Sequence, residues 1–226
     1  VPQSRPRLFI VAVRKGRSVP EVLTRTEPDP LWHPANLVGA YDKLQQQLKK
    51  AWLWWNLPVP PRRKAIFADI IEDEPEGVEW HSPTETRRLL SMMSPLNREK
   101  VERVKRARKR MVGGVYRRTR MDEYGHRAQR AEIRFDDVSG CLRTPVGGSS
   151  RQFIMIVKGD KVRSRLLAPR EAARLMGLPE SYKLPKNYNE AYHLVGDGVV
   201  VPVVRFLAAR VLEPLLGNVE REKEAA

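Results

Sequence analysis

The chain opens on VPQSRPRLFIVAV, residues 1–13, and the class of fold turns on how this stretch is read. From Leu8 to Val13 it is continuous and apolar, the pattern of a β-strand buried on both faces of a parallel sheet. Arg5 and Arg7, each beside Pro6, set two cations at the mouth of that strand. The expectation is an α/β protein whose first strand begins at a charged surface.

Outward from this strand, the segment from Arg14 to Asn36 carries prolines and charges and reads as loop. Tyr41, Leu44, Leu48, Trp52 and Trp55 recur at three- and four-residue steps, which predicts an amphipathic helix ended by the prolines of LPVPPRR. KAIFADII (64–71) reads as a strand, followed by the acidic loop EDEPEGVE. SPTETRRLLSMM (82–93) predicts a helix with a capping box: Ser82 as N-cap, Pro83 at the first helical position, Glu85 three residues on. NREKVERVKRARKRMVGG (97–114) predicts a very basic helix with a thin apolar stripe of Val101, Val104 and Met111. Because the basic run continues into VYRRTR (115–120), a phosphate-facing helix is favoured over a merely solvated one. AEIRF and QFIMIV read as strands flanking a Gly/Ser turn. PREAARLMGLP predicts a short helix with Pro169 at N1, one face of Ala172, Leu175 and Met176, and an end at Gly177 and Pro179. GDGVVVPVV reads as a glycine turn into a valine run, with a helix from Pro202 and a frayed polar tail.

Two hundred and twenty-six residues allow one large domain or two small ones with a real core. No run approaches a membrane-spanning length and no signal-peptide pattern opens the chain. A single cysteine, Cys141, excludes an internal disulfide framework and fits a reducing compartment. The formal net charge of +15 suggests a polyanionic partner, most commonly nucleic acid; a ribosome-like or merely soluble basic protein is the alternative. His33, His81, His126 and His193 show no metal-ligand spacing, and there is no phosphate loop, zinc motif or nucleophile elbow. An RNA-binding reading lacks an aromatic stacking pattern beyond WLWW (52–55), which fits a helix face better. The residues alone give a basic, nucleic-acid-binding α/β protein.

Three segments in order carry the reading further. PQSRPRLFIVAV (2–13), RLLAPREAARLMGLPESYKLP (165–185) and GDGVVVPVV (196–204) resemble the last three sequence blocks of bacterial DNA (cytosine-5)-methyltransferases. GCLRTPVGGSSRQFIMIV (140–157) resembles the C-terminal part of that family's target-recognition domain, with its Gly-rich loop. The resemblance implies the C-terminal portion of a Rossmann-like S-adenosylmethionine-dependent methyltransferase domain, with a mixed α+β target-recognition domain. It divides the chain into a catalytic strand (1–16), a recognition domain (17–164), a hinge-helix region (165–195) and a return to the catalytic domain (196–226).

The same resemblance implies roles. Gln3 would orient the start of the strand, and Arg5 would position a phosphate or a pocket carboxylate. Arg7 would donate to O2 of a flipped-out cytosine while a thiolate adds at C6. Asp197, Gly198 and Val199 would wall the site of the cofactor, S-adenosyl-L-methionine. Double-stranded DNA would meet Arg117, Arg118, Arg120, Arg143, Thr144, Gly147, Gly148, Ser149, Ser150 and Arg151. No membrane or metal partner is implied, and the setting would be the bacterial cytoplasm, at the nucleoid.

The chain also departs from the family. The family's nucleophile is a cysteine after proline, whereas Cys141 follows Gly140 in the recognition segment and is expected to be a small core residue. Asp197 stands where asparagine is usual, and Gly198 where a small polar residue is common. Ala168 lacks the N-cap oxygen of the usual threonine, a cost of about 1 kcal/mol that Glu171 would partly offset. The chain would therefore be a split-enzyme subunit or a fragment, inactive alone and partnered by an N-terminal half that carries the catalytic cysteine. The alternative is a DNA-binding specificity subunit with no catalytic role.

Overall fold

Residues 8–13, expected as a buried strand, pair with no other strand in the computed structural model, which describes residues 1–121, 124–144 and 151–217. Leu8, Phe9 and Ile10 are exposed, Ile10 at 82%. The chain divides into two compact units, and this segment belongs to the one made of Leu8–Arg62 and Pro202–Ala226. The strands described in that unit are β1 (Thr24–Arg25) and β2 (Trp54–Trp55), paired with each other. A strand without a neighbour leaves its backbone groups to water, so the apolar run has no sheet to join.

The long helix expected from Tyr41 to Trp55 is divided in the same unit. In its place stand α1 (Ala35–Asp42) and α2 (Gln46–Lys50), with β2 after them. A straight helix would hold Tyr41 and Trp52 roughly 16 Å apart. Instead the chain bends and their ring centroids meet at 5.4 Å, with Trp54 5.0 Å from Tyr41 and 5.2 Å from Trp52. Burying three large rings together outweighs the helical period.

The second unit, Val1–Arg7 with Arg63–Val201, contains the sheet. Its first element is α3 (Phe67–Ile70), a single turn where a strand was expected. Asp69 accepts the Ile66 N–H at 2.8 Å, and the buried Phe67 anchors the turn. In α4 (Pro83–Ser91) the capping box forms as read: Ser82 Oγ accepts from the Glu85 N–H at 3.2 Å, and the Glu85 carboxylate accepts from the Ser82 N–H at 2.8 Å. α5 (Pro95–Arg106) buries Val101 and Val104 but stops short of Met111, the third member of the expected stripe. Arg108, at φ +52°, turns the chain and Met111 opens a strand instead.

That strand is β3 (Met111–Met121), followed by β4 (Arg127–Arg134), β5 (Phe153–Lys158) and β6 (Lys161–Leu166). They form an antiparallel sheet in the order β4-β3-β5-β6, so no parallel sheet appears among the described residues. Alternating side chains serve two cores. Val115, Ile133, Phe153 and Met155 pack with Leu89, Met93 and Val101 of the α4–α5 layer. Val112 and Ile154 pack with Phe67 and with two more helices, α6 (Pro169–Leu175) and α7 (Tyr188–Asp197). β3 pairs with β5 only from Met111 to Val115, but with β4 out to Met121. Its outer half is therefore a two-stranded ribbon.

α6 starts at Pro169, and Ala172, Leu175 and Met176 are buried as read. Ala168 offers no side-chain oxygen to the first-turn N–H groups, but Glu171 supplies the reciprocal half of a capping box by accepting the Ala168 N–H at 2.8 Å. It also forms a fully buried pair with Arg165 at 2.6 Å. α7 was not foreseen: Gly196 and Asp197 close a helix rather than form a free glycine turn. After Val200 comes α8 (Val201–Leu207), which continues through a π-helical turn (Ala208–Leu212) and residues 213–217. Among the described residues no helix is long and apolar enough to cross a membrane. The expected recognition segment, 17–164, is shared between the two units at Arg63.

Candidate nucleic-acid interface

The first residues of the chain are stitched to segments far along it. Ser4 N–H donates to the Ser139 carbonyl and Ser139 N–H to the Pro2 carbonyl, both at 2.8 Å. Gln3 Nε2 donates to the Leu175 carbonyl at 2.8 Å, at the end of α6. The Arg5 guanidinium donates to the carbonyls of Leu142 (2.7 Å), Gly196 (2.8 Å) and Gly198 (2.9 Å). Two of these lie at the C-terminus of α7, where carbonyls lack helical partners and the dipole favours a cation. Burial lowers the Arg5 pKa from its ordinary value. Among the described residues its guanidinium is thus held by these backbone oxygens and, at 3.7 Å, by Cys141 Sγ.

Arg7 differs from Arg5. It is exposed, donates to the Pro6 carbonyl at 2.8 Å, and lies 3.7 Å from Cys141 Sγ. Cys141 is half-buried between Arg5 and Arg7, both at 3.7 Å, and lines a groove. The expectation of a core cysteine is corrected here: within the 139–142 segment Ser139 and Leu142 take the buried positions, and Cys141 between them is left half-buried at the groove.

The groove has a volume of about 1060 Å³ and lies within one unit. Arg7 lines it together with Arg117, Arg118, Arg120, Arg143, Thr144, Arg151 and Asp197, so the residues expected to bind DNA and the arginine expected at the cytosine share one surface. Lys100 and Arg134, which the sequence reading missed, line it as well. Among the described residues, eight cations thus face two carboxylates, Glu132 and Asp197. Gly147, Gly148, Ser149 and Ser150 lie outside the described residues.

Local contacts hold these cations in place. Arg118 and Arg120 share Glu132 across the ribbon. Arg117 lies 4.7 Å over the Phe153 ring, and burial, with Arg88 and Arg151 nearby, lowers its pKa. Arg151 hydrogen-bonds Asn189 and stands 5.6 Å over the Tyr188 ring. Arg134 pairs with Asp136, which holds that carboxyl below its ordinary value. Burial pushes the Tyr116 phenol up to about 12. A Cβ on Gly140 would stand 1.8 Å from the Tyr116 hydroxyl, so the groove floor needs glycine there. The basic helix contributes less than expected: its lining residues are Asn97 and Lys100, while Arg103 and Lys105 face Glu99 and Glu102 along α5.

The three residues read as a cofactor wall lie at the end of α7. Asp197 sits 3.1 Å from His193 Nδ1, the Gly198 carbonyl is taken by Arg5, and Val199 is 48% exposed. An exposed apolar side chain beside a carboxylate fits one wall of a cofactor site. It does not enclose one.

Residues 1–213 match the family model for C-5 cytosine-specific DNA methylase. The chain belongs to that family. It is 41% identical over 64 residues to the type II methyltransferase M.HpaII of Haemophilus parainfluenzae, covering 27% of this chain and 18% of that protein. It is 36% identical over 61 residues to the type II methyltransferase M1.ScrFI of Lactococcus lactis subsp. cremoris, covering 27% and 16%. A longer match, 27% identical over 154 residues, is to the DNA (cytosine-5)-methyltransferase CMT2 of Oryza sativa subsp. japonica, covering 67% and 10%. Each match thus spans under a fifth of the relative's length. C-5 cytosine methylases act on DNA, have an S-adenosylmethionine-dependent methyltransferase fold and take their methyl group from that cofactor. Glu132 and Arg134 escaped the sequence reading because strand register brings them to the groove, and Lys100 because α5 packs beside β4, where its Nζ donates to the Ile133 carbonyl at 3.3 Å. The one available signal was the alternation of Arg118, Glu132 and Arg134 along neighbouring strands.

Proposed function

We propose that this C-5 cytosine methylase family member supplies the DNA-holding groove and part of the cytosine pocket of a DNA (cytosine-5) methyltransferase. The observation that carries the reading is the groove itself, where Arg7 shares a strongly cationic surface with Arg117, Arg118 and Arg143. Such a surface attracts phosphates and releases their counterions, so binding weakens steeply with salt. Arg7 is exposed and keeps donors beyond the one given to Pro6. It would meet O2 of a cytosine turned out of the duplex and stabilise the charge that builds on the ring. Gln3 and Arg5 hold this segment against α6 and α7, a positioning role in place of phosphate contact. S-adenosylmethionine supplies the methyl group when bound, and Val199 with Asp197 and Gly198 would form one wall of its site.

The nucleophile is not Cys141, which follows Gly140 and lacks the family's preceding proline. The thiolate would come from the N-terminal half of the methyltransferase, in a bacterial restriction-modification setting at the nucleoid. The chain alone would then bind DNA without methylating it. The test is methyl transfer to mixed-sequence DNA, read by bisulfite sequencing, by the chain with and without that half. Transfer only when both are present supports the reading, and transfer by the chain alone overturns the division of labour. A second reading, a DNA-binding specificity subunit, draws on the use of Arg5 for backbone carbonyls rather than for a ligand. It would show as DNA binding with no methylation even in the presence of the other half.

A further inference from the structure

Glu132 is an acid in a groove built to hold phosphates. It lies on the two-stranded part of the β3–β4 ribbon, opposite Tyr116, with its side chain 32% exposed. Its Oε1 accepts from Arg120 Nε at 3.0 Å and Nη2 at 2.6 Å, and its Oε2 lies 3.4 Å from Arg118 Nε. Arg118 is held on its other side by the Tyr116 ring, 6.0 Å away. Across the ribbon the register sets Arg118 directly opposite Arg130, a like-charge pairing that an outside acceptor would relieve.

A half-exposed ion pair adds little to folding, and a carboxylate beside bound phosphates weakens overall affinity. What Glu132 does is fix geometry. It occupies the Nε–Nη2 edge of Arg120, and among the described residues no contact takes the Nη1–Nη2 edge, which can serve a second, bidentate partner. A two-stranded ribbon fits the DNA major groove, where guanine presents two acceptors to such a fork. We propose that Glu132 is a positioning residue for sequence discrimination. It orients Arg120, with Arg118 beside it, to read a guanine edge, at the expense of non-specific DNA affinity. The inference rests on the groove's binding DNA, as set out above.

The test uses the full chain on a library of randomised DNA duplexes, with the bound fraction sequenced. Affinities for an enriched duplex and a shuffled duplex of the same composition follow by fluorescence anisotropy over a salt series. Glu132→Gln should bind the shuffled duplex about two- to fivefold more tightly, while its enriched-to-shuffled ratio falls at least about fivefold. Arg120→Lys keeps the charge and loses the fork. It should lower the ratio similarly, through weaker binding of the enriched duplex, and it carries the test if Glu132→Gln fails to fold. Arg143→Ala, at a groove cation outside this cluster, should weaken both duplexes alike. Ratios unchanged in Glu132→Gln and Arg120→Lys, weaker shuffled binding by Glu132→Gln, or no preference in the unaltered chain would overturn the proposal. If Arg143→Ala still weakens binding, that failure belongs to Glu132 alone; if it changes nothing, the groove reading falls too.

Discussion

Replacing Gly140 by alanine tests how the groove floor is packed. An added Cβ would lie 1.8 Å from Tyr116 Oη and 2.2 Å from its Cζ, while real Cβ contacts stay above 3.0 Å. The hydroxyl must therefore move by at least 1.2 Å, although the ring stands on β3 and is mostly buried. Gly140 is not among the residues with left-handed backbone, so alanine meets no conformational barrier and the cost is steric. Overpacking of this kind costs about 1–3 kcal/mol. At about 2–4 °C per kcal/mol for a domain of this size, the melting temperature should fall by roughly 2–12 °C. A double-mutant cycle followed by urea unfolding isolates the contact. With Tyr116→Ala in place the clash is gone, and Gly140→Ala should then be neutral or stabilise by about 0.4–1 kcal/mol through the unfolded chain. An equal cost of Gly140→Ala in both backgrounds would refute the assigned contact. Because Arg118 leans on the Tyr116 ring, the single variant should also bind DNA more weakly.

Arg165→Met should destabilise by about 3–5 kcal/mol in urea unfolding, since it leaves Glu171 charged and fully buried without its partner; a loss under 1 kcal/mol would show that the pair is not buried in solution. Ser82→Ala removes the α4 cap oxygen and should cost about 1 kcal/mol. The exposed Glu85 carboxyl is held below its ordinary value by hydrogen bonds from the Ser82 N–H and hydroxyl. Its contribution is therefore present above the unfolded pKa and is lost as pH falls through the lowered folded value, so the acid limb of a stability–pH curve should be shallower in Glu85→Gln. Arg7→Ala should lower single-turnover methyl transfer by about 10²-fold in the reconstituted enzyme and change DNA affinity far less; an unchanged rate would remove Arg7 from the cytosine pocket.

The elements legible in the sequence were those fixed by short-range chemistry. The capping box of Ser82 and Glu85, Pro169 at the start of α6, and the apolar β5 run all act within a few residues, and each appears in the structure. The failures share the opposite property. The Tyr41–Trp55 periodicity was real, but three aromatic rings gained more by closing on one another than by lining one face. Residues 8–13 have the composition of a buried strand, yet a strand is defined by its neighbours, and none is described beside them.

The site shows the same division. Its arginines were readable one by one, because charge and local composition mark them. Their arrangement was not, because it follows from strand register and from carbonyls brought together from three parts of the chain. Arg5 illustrates the point: no local pattern says that residues 142, 196 and 198 will converge on it. Glu132 illustrates the converse. In the sequence it is one acid among many cations and looks like simple charge balance. The register sets it opposite Tyr116, one alternation from the Arg118–Arg130 pair, where one carboxylate reaches both Arg118 and Arg120. A groove that needed only to hold phosphate would gain affinity by losing that carboxylate. Its position among the forks is therefore an argument about which arginines are aimed and which are merely charged.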